Sequence, residues 1–109
     1  MGRVETLNQV LRNLQSGTPD IEASALPQHV EEVRVAGMSS TLLSLGTRAA
    51  VELARGDLNQ VLIRGDEGYA VMVRAAEGTM LLVLTTKDAK LGLIFLDMSR
   101  AVADIKKVL

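Results

Sequence analysis

The chain has 109 residues and a mass of 11.7 kDa, the usual size of one domain. Its 12 Lys and Arg residues against 13 Asp and Glu, with no basic run, argue against a nucleic-acid partner. The absence of cysteine excludes disulfides and thiolate metal sites, and the absence of a signal peptide makes a cytoplasmic location the expectation.

The N-terminal segment has the spacing of an amphipathic helix that ends before Pro19. A short strand is predicted next, from Ile21 to Leu26, because Pro27 stops the apolar run. The opening residues also fit the loose pattern for N-myristoylation at Gly2, although a pattern with three free positions is more often a coincidence. The apolar positions of the helix are Val4, Leu7, Val10, Leu11 and Leu14.

The longest predicted helix, from about Val30 to Arg55, has two apolar faces. The side chains of the first face are large enough to pack on a sheet: Val35, Met38, Leu42, Leu45, Ala49 and Leu53. Those of the second face are mostly small and would let another backbone approach closely: Val33, Ala36, Gly37, Ser40, Ser44, Thr47 and Val51. The second face therefore predicts contact with a helix of another chain. The alternative is that its serine and threonine side chains simply face water.

Three strands with short turns are predicted after this helix, at Leu58 to Arg64, Tyr69 to Ala75 and Thr79 to Thr85. The last has no polar alternation, so it should be buried on both faces and lie centrally. Its apolar run is too short to cross a bilayer, so no membrane insertion is expected. The first strand suits an edge, and an apolar edge invites pairing with another chain. Its contribution to a dimer interface would come from Asn59, Val61 and Ile63.

A final helix is predicted from the apolar stripe that runs from Leu91 to Leu109, with Thr86 and Asp88 as candidate N-terminal caps. Its last turns contain Lys106 and Lys107, where cations complement the helix dipole.

No motif predicts a catalytic, cofactor-binding or metal-binding residue. His29 is the only histidine and has no nearby set of ligands, so a solvated loop or cap position explains it better. The glycines form no phosphate-binding motif. The pairs Asp66 with Glu67 and Asp97 with Asp104 are better explained as turn and helix surface than as acid/base couples.

The order of elements and several segments resemble the Roadblock/dynein light chain family, in a form similar to MglB-type regulators. The match extends over essentially the whole chain. Its clearest segments are Ala25-Leu26-Pro27, Val35 to Gly46, Gln60 to Gly65 with Gly68-Tyr69, and Thr86 to Leu93.

This resemblance implies a profilin-like α/β (α+β) sandwich: a mainly antiparallel sheet with the long helix on one face and the terminal helices on the other. It implies one domain over residues 1–109. Family members usually have two strands joined by a turn between the first helix and the long helix, whereas here Ile21 to Leu26 supplies only one, so we expect a first hairpin that is shortened near residues 21–27. The resemblance also implies a non-catalytic, cytoplasmic homodimer that regulates or recruits a Ras-like small GTPase.

Two further hypotheses remain open. A purely structural subunit of a cytoskeletal, motor or signalling scaffold fits the sequence as well. Within the GTPase hypothesis, an arginine finger from Arg34, Arg48 or Arg55 is less favoured, because arginines on helices are usually solvated.

Overall fold

The computed structural model describes residues 2–26, 33–76 and 78–109, without the side chains of Val33 and Val35. The predicted order of elements is confirmed. The elements are α1 (Arg3–Gly17), β1 (Ile21–Ala25), α2 (Val33–Glu52), β2 (Gln60–Gly65), β3 (Gly68–Ala76), β4 (Thr79–Thr85) and α3 (Leu91–Val108). His29 and residues 30–32, where the long helix was predicted to begin, lie outside the description. No helix in the described ranges combines the length and apolarity that crossing a bilayer requires.

The four described strands form one antiparallel sheet in the order β1-β4-β3-β2. The apolar strand β4 is internal and β2 is at an edge, as predicted. The β2–β3 hairpin turns at Gly68, which has a φ of +150° and lies against the Thr85 carbonyl. A Cβ atom there would collide with that backbone oxygen, so the hairpin requires glycine.

One face of the sheet carries the main hydrophobic core, under α1 and α3. Both helices bury a stripe at helical spacing, and alternate residues of β3 and β4 complete the core. The buried members from the helices include Leu7, Val10, Leu14, Ile94, Met98 and Ile105, and those from the two strands are Val71, Ala75, Leu81 and Val83. The helix α2 lies on the opposite face, so the predicted sandwich is confirmed.

Hydrogen bonds attach the α1–β1 turn to the other elements of this core. The buried Thr18 hydroxyl donates to Asp97 Oδ2 at 2.5 Å, which joins the turn to α3. The Thr86 amide donates to the Asp20 carbonyl at 2.9 Å, and the Thr86 hydroxyl lies 3.4 Å from Asp20 Oδ1. The amide and the hydroxyl of Thr86 are therefore both bonded to the turn before β1. The N-cap of α3 is Lys90, which makes no side-chain cap, so the capping prediction for Thr86 and Asp88 is wrong.

The C-terminal end of α2 also differs from the prediction. The helix ends at Glu52 and not at Arg55, because Ala54 adopts a left-handed conformation with φ +56°. The Arg55 amide then donates back to the Ala50 carbonyl at 2.7 Å. Gly56 follows with φ +81°, and these two positive φ angles turn the chain toward β2.

Candidate interaction surface

A narrow stripe of α2 faces the sheet. Ser39 is its only buried member among the described side chains, and Ala36, Leu43, Gly46 and Ala50 are half-buried. The stripe lies close to Leu58, just before β2, and to Val61 in β2: a Cβ atom added at Gly46 would lie 3.0 Å from Leu58 Cδ2. Small side chains thus bring the helix backbone close to the sheet. At 100° per residue, this stripe falls between the two faces that the sequence predicted.

The prediction that the large-residue face packs on the sheet is wrong. Met38, Leu45 and Leu53 are 57%, 62% and 66% exposed, and Ala49 is exposed. Among the described side chains of this face, only Leu42 is half-buried. The sheet is approached by the smaller stripe instead, because α2 crosses close to Leu58 and Val61 at Gly46. We name the exposed set Met38, Leu45 and Ala49, together with Leu53 directly after the helix, the large flank of α2.

The small-residue face forms the opposite flank of the helix. Gly37, Ser40, Ser44, Thr47 and Val51 are exposed, and Ala36 is half-buried at the sheet. The Thr47 hydroxyl donates to the Leu43 carbonyl at 2.7 Å, so its hydrogen bond is satisfied within the helix. We name this set the small flank. The prediction that it contacts another chain stays a prediction, and the side chain of Val33 lies outside the description.

An apolar groove of about 690 Å³ runs between α2 and the sheet, on the side of Met38. Its floor comes from β2, β3 and β4, where Leu84 and Ile63 are 41% and 42% exposed. A smaller apolar depression beside β1 shares two floor residues with it, Leu82 and Leu84. The lining includes Met38, Leu42, Ile63, Ala70, Leu82 and Leu84.

The edge strand β2 continues this surface. It pairs with β3 on one side, and no described strand pairs with its other side. Val61 is half-buried under α2, and Ile63 lies in the groove. Asn59 precedes the strand and is exposed. The three predicted edge residues are thus next to α2, although their contact with a partner is untested.

The groove floor on β3 and β4 was missed as part of an interaction surface. The signal was present in β4, whose uninterrupted apolar run predicted burial on both faces. Val83 is buried in the core as that pattern requires, but Leu84 is 41% exposed on the opposite face. An apolar strand face that the described residues leave open indicates a surface for another molecule.

The predicted acidic pairs make ordinary surface contacts. Asp97 and Asp104 border one depression of about 240 Å³ and pair with Arg100 and Lys107, respectively, each at 3.8 Å. Asp66 and Glu67 are exposed at the β2–β3 turn, and Asp97 accepts the Thr18 hydroxyl. Among the described residues, no three His, Asp or Glu side chains lie close enough to hold a metal ion. In this part of the chain every buried side-chain polar atom has a hydrogen-bond partner. The apolar α2 side is therefore the distinctive surface.

Residues 21–85 match the model of the Roadblock/LC7 domain. The chain belongs to the Roadblock/LC7 family. Two uncharacterized proteins of Methanocaldococcus jannaschii, MJ1340 and MJ0310, are each 42% identical over 84 residues. These alignments span 77% of this chain and 73% of each relative.

Solved structures of a Roadblock/LC7 domain and of MglB proteins have the same fold. The Roadblock/LC7 domain from Streptomyces avermitilis superposes with a TM-score of 0.79 at 21% identity, over 91% of this chain and 93% of that one. The gliding protein MglB from Thermus thermophilus gives 0.77 at 13% identity, over 99% and 91%. An MglB with tetrameric arrangement gives 0.83 at 14% identity, over 99% and 90%.

Proposed function

We propose that this Roadblock/LC7 protein is a cytoplasmic, non-catalytic homodimer that regulates or recruits a Ras-like small GTPase. The observation that carries the proposal is the open apolar side of the sheet. In the described chain, α2 leaves its large flank exposed beside an apolar groove of about 690 Å³. We also propose that residues 1–109 form one domain.

An open groove of this kind suits a polypeptide better than a small ligand. Small-molecule sites enclose most of the ligand, whereas this groove is bordered by a helix on one side and opens onto β1. Helix-in-groove binding uses apolar anchors at helical spacing. The large flank has that spacing, from Met38 through Leu45 to Leu53, so α2 offers both a groove and the apolar helix that could enter it.

A symmetric dimer uses the same surface twice, so the patch must be complementary to itself. We propose that α2 of each copy packs against α2 and the groove of the other, while the free edges of β2 approach one another. The small flank then provides close contact between the helices. The proposed interface residues are Val33, Ala36, Gly37, Ser40, Ser44, Thr47, Val51, Asn59, Val61 and Ile63, now extended by the large flank.

Light scattering of variants with a new charge on one flank tests which flank contributes to the dimer. Gly37→Glu and Ser44→Arg on the small flank, and Leu45→Arg on the large flank, should each reduce the mass toward 11.7 kDa, because a charge buried at an interface is costly. All three positions are exposed in the single chain, so the monomer should keep its fold. The matched control is Leu93→Arg, on the exposed surface of α3. If only Leu45→Arg dissociates the dimer, the small flank is ordinary surface.

The GTPase part of the proposal is supported by the fold likeness to MglB proteins and by the apolar surface on the α2 side. The partner should bring the nucleotide and the magnesium, and this chain a surface that orders the partner's switch loops. An arginine finger from Arg48 is less favoured, because its guanidinium pairs with Glu52 at 3.6 Å on an exposed helix surface.

Titration of the protein against the Ras-like GTPases of its host, in the GTP and GDP forms, tests this part. We expect nucleotide-dependent binding to one of them, and no GTP binding or hydrolysis by this chain alone. Phosphate release, followed in parallel, shows whether hydrolysis is accelerated. Equal or absent binding to every GTPase in both states would leave the structural subunit of a larger assembly as the function.

A further inference from the structure

The three helices differ in how much they bury. The 15-residue α1 buries Leu7, Val10 and Leu14, and the 18-residue α3 buries Ile94, Met98, Ala101 and Ile105. The helix α2 is longer, at 20 residues, yet Ser39 is the only buried residue among its described side chains. Burial of apolar side chains is the main source of helix stability in proteins. In the single chain, α2 therefore lacks most of that stabilisation.

The sequence of α2 does not compensate through intrinsic helix preference. Two glycines, three serines, two threonines and three valines make up half of its 20 residues. Glycine is the weakest of these in a helix, and serine, threonine and valine all rank below alanine and leucine. The ion pair between Arg48 and Glu52 lies on the surface of the helix, and both side chains are exposed. Exposed pairs of this kind contribute little.

The contacts that α2 makes with its own sheet are concentrated at β2. Leu58 and Val61 approach Gly46, so the middle of the helix is attached there. Toward β4, the groove separates the helix from Leu82 and Leu84. Local stability follows local burial, so elements with few buried apolar contacts open at lower free energy than the core.

We infer that α2 docks stably only when a second copy covers it, so that ordering of this helix is coupled to dimerisation. The inference rests on the proposed dimer. In the monomer, the sheet with α1 and α3 stays folded while α2 opens and closes. Dimerisation then completes the surface that a GTPase would meet, and a monomer presents that surface only part of the time.

Hydrogen–deuterium exchange of the full chain, resolved by peptide, tests the inference. In the monomeric Leu45→Arg variant, the amides of α2 should exchange at least about tenfold faster than those of α3. In the wild-type dimer they should be protected, and dilution through the dissociation range should speed exchange in α2 selectively. Leu93→Arg, which lies outside the proposed interface, should leave the wild-type pattern unchanged.

A second variant tests helix opening in the monomer, where the proposed interface that includes Gly37 is not formed. Gly37→Ala adds a methyl group where no atom lies within 4 Å, so it alters helix preference without altering packing. In the Leu45→Arg background, it should slow exchange in α2 about fivefold and leave α3 unchanged, since alanine is favoured over glycine by about a factor of five. A change confined to α2 would support local opening of that helix.

The failures are distinguishable. If the wild type dimerises but the monomeric variant protects α2 as well as α3, the coupling is overturned and the dimer stands. If the wild type stays monomeric at every concentration and still protects α2, both the dimer and the coupling are overturned.

Discussion

The two faces of the sheet are completed in different ways. On the α1 and α3 side, Val71 and Val83 of the sheet meet buried stripes from both helices, and Thr18 and Asp97 join the layers by a hydrogen bond. On the α2 side, the described cover is one helix, which approaches β2 through its small side chains. It leaves Leu84, in the apolar groove floor, 41% exposed.

The difference in packing between the two faces suits them to different roles, one in stability and the other in interaction. A fully packed layer holds the chain together by itself, because its apolar side chains lose their contact with water. A half-covered layer has apolar area that another molecule can bury. We therefore propose that one face serves folding and the other serves assembly, and paired variants across the sheet test that division.

The largest expected effect is in the core. Ile94→Ala should lower the free energy of unfolding by about 2–5 kcal/mol, because Ile94 is 1% exposed and its loss leaves a cavity. Leu45→Ala, at a 62% exposed position on α2, should change the unfolding of the monomer by less than about 0.5 kcal/mol. Both values come from urea denaturation at a concentration where the chain is monomeric. Similar losses for both variants would contradict the division between the faces.

An intermediate effect is expected at the bond between the α1–β1 turn and α3. Thr18→Val keeps the shape of the side chain but removes the donor to Asp97, and should cost about 1–2 kcal/mol. Thr47→Val on the small flank removes a bond within the helix, on the exposed side of α2, and should cost less than about 0.5 kcal/mol. Thermal unfolding of the two variants under the same conditions compares them directly.

The smallest effect on folding is expected at two exposed leucines. Leu84→Ser in the groove floor and Leu93→Ser on α3 should each change the stability of the monomer by less than about 0.5 kcal/mol. They should differ in assembly, because only Leu84 lies on the proposed interface. Sedimentation equilibrium should show weaker self-association for Leu84→Ser alone. Equal weakening by both would show that the interface is not confined to the α2 side.

Much of the fold was predictable because it follows from local patterns. The apolar stripes of α1 and α3 and the unbroken strand β4 placed these elements correctly. The resemblance to the Roadblock family supplied the arrangement of helices on the two faces, and the family match confirms that resemblance.

The orientation of α2 was not predictable from its pattern. The helical spacing of α2 gives one face of large apolar side chains and one of small side chains. The face with the large side chains was predicted to pack on the sheet, because large apolar side chains are usually buried. The actual orientation depends on the close approach of Gly46 to Leu58, which is a tertiary contact between separate elements. Likewise, Thr86 is a plausible cap in sequence, but Asp20 of the α1–β1 turn accepts its bonds.

The mass of the wild-type chain in solution tests the central claim most directly. If a second copy completes the α2 side, light scattering at micromolar concentration should give twice 11.7 kDa, and Leu45→Arg should give 11.7 kDa with its fold intact. A wild-type mass of 11.7 kDa at every accessible protein concentration would contradict the proposed dimer.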